Sequence, residues 1–132
     1  MTIFTRPPNE LRGEQIVFVN PKQRFKCFAV HRVEERMGQV QCLAFSPDEA
    51  YLAIGLEQGN VQLLEMKGYE TPTASDPLLV RSLAVAGLSF SADSSELVVS
   101  IRSGDEVHVY TYAKPFTNLD KHYVDRPIPE VS

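Results

Sequence analysis

Apolar residues recur at every second position along much of this chain, and no window of useful length repeats them at helical spacing. From Gln15, the runs QIVFV and RFKCFAVHRV are dense in β-branched and aromatic side chains. Between them NPKQ carries the turn signal Asn20-Pro21, so the pattern predicts strand, turn, strand. The charged stretch EERMGQ predicts a connection. VQCLAFS and AYLAIGL follow, joined by SPDEA, where Pro47 fixes its own backbone angle and Asp48 can accept hydrogen bonds from neighbouring amides. EQGN turns again at Gly59 and Asn60, the residue types that most easily take positive backbone angles, and VQLLEM completes three consecutive antiparallel strands.

Lys67 to Leu78, KGYETPTASDPL, predicts a surface loop, longer than the usual connection of about 4 to 6 residues. LLVRSLAV, GLSFS, ELVVSI and VHVYTY then fit strand composition, with ADSS and RSGDE as turns. The first 14 residues, with Pro7-Pro8, predict an extended, loosely packed leading segment. Residues 114–132, with Pro115, Pro127 and Pro129, predict an irregular tail holding at most one short strand. The expected class is all-β and antiparallel.

Two stretches of this pattern are copies of one another. VQCLAFSPDEAYLAIGLEQGN-VQLLE lies over VAGLSFSADSSELVVSIRSGDEVHVYT, pairing Val40 with Val85, Phe45 with Phe90, Asp48 with Asp93 and Gly59 with Gly104 at a constant offset (85 − 40 = 45). One extra residue, Glu106, enters the second turn, after which Leu64 pairs with Tyr110. A period of about 40 to 45 residues with several short strands per unit is the signature of propeller blades. The alternation places Phe45 and Phe90 on a face that a stacked sheet must bury against its neighbour. Asp48 and Asp93, each just after a turn-forming residue, are expected to hold free backbone amides and not to react.

These residues resemble the WD-repeat family, whose units run from a Val through a Phe-Ser-Pro-Asp turn to an apolar strand, a Gly turn and a strand ending in Trp-Asp. The first unit has FSPD complete and the second has FSAD. Leu64 and Tyr110 stand where the family has Trp, and Glu65 and Thr111 where it has Asp. The family's buried chain of His, Ser or Thr, Asp and Trp is largely missing: Gln58 and Ser103 replace the Asp, and Ser100 alone fills the Ser position. The resemblance implies degenerate blades, a partial one over 15–36 and units over 40–65 and 85–111, in an incomplete or open propeller. Propellers use about 4 to 8 blades. It therefore implies self-association, or further blades from a longer chain.

Composition narrows the chemistry. Thirteen Lys and Arg against 17 Asp and Glu leave a formal charge of −4, which argues against a chain that grips phosphate backbones. The longest apolar runs fall far short of the roughly 20 residues of a membrane helix. The two cysteines, Cys27 and Cys42, are too sparse for a disulfide scaffold and read as small buried apolar side chains in a reducing compartment, cytoplasm or nucleus. His31, His108 and His122 are far apart, and the strand alternation turns His31 and His108 toward solvent. No catalytic or metal motif stands out and no cofactor is implied.

The leading expectation is thus a non-catalytic module that binds other proteins through loops on a rigid frame. Its candidate contacts are Arg32, Arg36, Tyr69, Arg102, Tyr112 and Phe116, of which the Tyr and Arg types are over-represented at binding hot spots. Two other classes stay open: a small β domain with a ligand-binding or hydrolytic pocket using His31 or His108, and a nucleic-acid-binding β domain.

Overall fold

A computed structural model of the chain describes residues 2–6, 15–24, 26–117 and 121–124. Its strands are β1 (Thr2–Arg6), β2 (Gln15–Asn20), β3 (Lys26–Arg32), β4 (Val40–Phe45), β5 (Tyr51–Leu56), β6 (Asn60–Glu65), β7 (Thr73–Ala74), β8 (Leu78–Leu79), β9 (Val85–Phe90), β10 (Glu96–Ser103), β11 (Glu106–Ala113) and β12 (Lys121–Val124). All pairings are antiparallel. The first sheet runs β1-β2-β3, the second β4-β5-β6-β7 with β8 also on β6, and the third β9-β10-β11-β12. None is closed into a barrel, and the arrangement is that of incomplete propeller blades. The leading segment contributes β1 and the tail the short strand β12.

The tight turn after β4 closes through its own side chains. Ser46 Oγ donates to Asp48 Oδ1 (2.6 Å), the Ala50 amide donates to the same oxygen (3.0 Å), and the Tyr51 amide donates to Ser46 Oγ (3.0 Å). The turn after β9 repeats this: Ser91 Oγ to Asp93 Oδ1 (2.7 Å), the Ser95 amide to Asp93 Oδ1 (3.1 Å), and the Glu96 amide to Ser91 Oγ (3.0 Å). Glu49 and Ser94 both take left-handed angles, φ +59° and +62°. The two turns also touch, the Asp48 amide donating to Ser94 Oγ (3.2 Å). Both carboxylates thus accept hydrogen bonds within their own turns.

Hydrogen bonds from Ser95 and then Ser91 hold the Asp93 pKa at about 2, and Ser46 and the Ala50 amide lower that of Asp48. A carboxyl whose folded pKa is depressed stabilises the fold above its unfolded pKa of about 4, and that contribution fades as pH falls through the folded value. Changing both Asp48 and Asp93 to Asn is therefore expected to flatten the fall in thermal midpoint between about pH 4 and pH 2. An unchanged acid limb in calorimetry would show that the turns do not depend on charge.

The sheets stack in chain order. On one face of the second sheet, Leu52, Ile54, Leu56, Leu64 and Met66 pack against Ile16, Phe18 and Ala29 of the first. On its other face Ala53, Val61 and Leu63 pack against Leu97, Val99, Ile101, Tyr110 and Tyr112 of the third. The repeat offset carries Leu52 to Leu97, Ile54 to Val99, Leu56 to Ile101 and Leu64 to Tyr110, so equivalent residues bury equivalent faces one sheet apart. Phe45 and Phe90 follow the same rule, each packing against the corresponding cluster. Both are only half-buried, because β4 and β9 lie at the edges of their sheets.

Several side-chain placements differ from the sequence reading. Tyr112 is fully buried and Phe116 nearly so, and neither is a surface contact. Tyr112 extends the inward row of Tyr110. Phe116 folds back after β11, its amide donating to Ala113 O (2.7 Å), and its ring packs edge-on against Tyr51 (5.2 Å) and Phe90 (5.8 Å), tying the third sheet to the second. His108 shares the inward face with the two tyrosines and is buried, its Nε2 lying 3.4 Å from Glu106 Oε2. Cys27 is exposed and Cys42 half-buried, both free thiols. The expected strand LLVRSLAV is interrupted: only Leu78–Leu79 and the stretch from Val85 are strand, because the Val80 and Arg81 amides donate to Gly59 O (3.2 and 3.4 Å).

Candidate functional site

Where the chain leaves β3 for the second sheet, a single turn of 3-10 helix over Glu35–Met37 follows, and Arg32, Glu34 and Arg36 are exposed along this segment. The Met37 amide donates to Glu34 O (3.0 Å), and the Gln58 amide to Met37 O (3.3 Å), pinning this turn to the β5–β6 turn. Across from it runs the loop of residues 74–79. Buried Gln62 holds that loop, its Nε2 donating to Ser75 O (2.5 Å) and to Leu63 O (3.2 Å), while the Ser75 amide donates to Leu63 O (3.1 Å).

A groove lies between the two segments. One part, about 290 Å³, has Val33, Met37 and Leu56 as its apolar floor, with His31, Arg32, Glu34, Arg36 and Asp76 around it. A second part, about 350 Å³, continues past Arg36, Met37, Asp76 and Pro77 to Asn60 and Leu79. Leu79 is 63% exposed. Arg36 Nε pairs with Glu34 Oε2 at 2.5 Å. The groove thus offers a fixed apolar floor with two guanidinium groups on one wall.

Of the expected contact residues, the structure brings Arg32 and Arg36 together here. Tyr69 stands apart on the long loop, 44% exposed, its ring edge-on to Phe28 at 5.3 Å, so it anchors that loop to the first sheet. Arg102 is exposed on the third sheet, with Nε directed at Gly104 O (3.4 Å). Met37, Gln62, Asp76 and Leu79 were not singled out by sequence.

His31 lines the groove half-buried, and burial lowers its pKa from the ordinary value. Within the groove's lining, Arg36 pairs with Glu34 and Gln62 donates to Ser75 O. Also among the described residues, no group of three His, Cys, Asp or Glu side chains converges as metal ligands would, and no helix is long and apolar enough to cross a membrane. The groove can hold a segment by shape and charge.

No family model matches the chain. Over 99 residues, 75% of its length, it is 25% identical to an uncharacterized WD repeat-containing protein of Schizosaccharomyces pombe. The match takes in 16% of that protein, so the chain spans about a sixth of its relative's length. The similarity and the all-β architecture agree with the repeat read from Phe45-Ser46-Pro47-Asp48 and its copy.

Proposed function

We propose that this chain is a non-catalytic protein-interaction module built from WD-like repeats. The observation that carries the reading is the pair of matched turns on stacked sheets, which makes a rigid frame holding the groove between the first and second sheets. Its ligand is an extended polypeptide segment with an apolar side chain for the Met37, Pro77 and Leu79 surface and a carboxylate for Arg32 and Arg36. Two free thiols, one exposed, favour a reducing compartment, and we place the module in the cytoplasm or nucleus.

The test is a charge reversal. Binding partners captured by the wild-type chain are expected to lose about tenfold or more in affinity for the Arg32→Glu, Arg36→Glu double variant. The control Arg102→Glu, on the third sheet, should keep them. If the double variant folds and retains every partner, the groove is not the site.

A further inference from the structure

Two of the three sheets continue past their third strand, and the first does not. In the second sheet β6 carries β7 and β8 on its outer edge, and in the third sheet β11 carries β12. Each of these added strands runs antiparallel to the strand it joins. The first sheet has the same strand order and stacks in the same sense, yet among the described residues β3 pairs with β2 alone. The route of the chain accounts for the difference. Residues 66–84, between β6 and β9, include β7 and β8, whereas residues 33–39, between β3 and β4, hold the 3-10 turn over Glu35–Met37.

The groove lies at this open edge. Its walls are the end of β3, at His31 and Arg32, and residues 74–79, the segment that supplies the outer strands of the second sheet. The space beside β3 is therefore where a fourth strand of the first sheet would run, next to that of the second. Farther along β3, Lys26, Cys27 and Val30 are exposed and Phe28 is half-buried. Main-chain amides and carbonyls of an edge strand alternate between its paired and its open side, so β3 presents a row of donors and acceptors that another strand can satisfy. Charge selects among such strands. β3 carries Lys26 and Arg32 and no acidic residue, in a chain of net −4, while Asp76 stands on the facing wall.

We propose that an acidic segment of a partner protein binds by adding itself to β3 as an antiparallel fourth strand. This rests on the groove being the binding site and names how its ligand is held. Among the described residues, the two strands nearest the ends of the stretch, β1 and β12, are already paired to β2 and β11, which leaves the place to a partner. The segment's main chain bonds to the open side of β3, and its apolar side chain reaches the surface of Met37 and Leu79. Its carboxylate faces Arg32 and Arg36 and turns away from Asp76. Main-chain pairing supplies affinity that is indifferent to sequence, and the side-chain contacts supply the choice.

The probe is a peptide selected from a displayed random library on the immobilised full chain. N-methylation at one peptide position at a time removes a main-chain donor and leaves every side chain in place. Read by fluorescence anisotropy, the losses are expected to alternate: about tenfold or more at every second position and little between them. In the full chain, hydrogen exchange followed by NMR should slow at those β3 amides that do not bond to β2. A peptide that needs Arg32 and Arg36 but shows no alternation, or adds no protection to β3, overturns strand addition and leaves the groove a side-chain site. Open-side β3 amides already protected in the free chain overturn it as well, since a segment of the chain itself then fills the place. A library that yields no binder, or only binders indifferent to the Arg32→Glu, Arg36→Glu double variant, overturns the groove as the site and strand addition with it.

Discussion

Gly59→Ala is expected to cost about 3 kcal/mol or more of folding stability, while its repeat counterpart Gly104→Ala costs about 1–2 kcal/mol. Both glycines have positive φ, +87° and +61°, so each substitution strains the backbone. Their surroundings separate them. A Cβ on Gly104 meets nothing within 4 Å, whereas one on Gly59 would stand 1.4 Å from Arg81 O and 2.7 Å from Leu83 O. Both atoms are main chain and cannot swing aside, and the Gly59 carbonyl is itself held by the Val80 and Arg81 amides. The segment that must shift adjoins Leu79, and Asn60 follows the glycine, both of which line the groove. Gly59→Ala should therefore weaken partner binding beyond what the loss of folded protein explains. Equal denaturant midpoints for the two variants would show that residues 80–83 do not press on the turn.

The difference between these glycines marks what a sequence can and cannot disclose. Both turns were legible because their bonds are local: Ser46, Asp48 and Ala50 lie within one turn, and the offset repeats it at Ser91, Asp93 and Ser95. The facing of β11 was not. Val107 and Val109 alternate with His108, Tyr110 and Tyr112, and an alternation gives a period of two without saying which phase is inside when both sets are largely apolar. The valines were the tempting choice, and the tyrosines go in because the third sheet must fill the space over Ala53 and Val61, which are small. The groove was half legible. Arg32 and Arg36 stood out as exposed cations, yet nothing local tells that residues 31–37 meet residues 74–79, a loop that Gln62 holds from the second sheet.

Tyr112 provides the second large effect, in two parts that only its placement explains. Tyr112→Ala should cost about 3–5 kcal/mol, the usual loss for a fully buried aromatic, and would open the contact between the second and third sheets. Tyr112→Phe should be neutral or stabilising by up to about 1 kcal/mol, because the buried hydroxyl has no hydrogen-bond partner among the described residues and its removal relieves a desolvated polar group. Burial, and after it the neighbouring Tyr110, pushes the Tyr112 pKa up to about 12. Its neutral form is the one the fold accepts. A raised folded pKa gives stability that is complete below the unfolded value of about 10 and is lost as pH climbs toward the folded value. Urea midpoints at pH 8 and pH 11 should thus drop more for the wild type than for Tyr112→Phe. Were the phenylalanine variant the less stable at pH 8, the hydroxyl would have to be bonded, and the third sheet would sit against the second differently from the packing described.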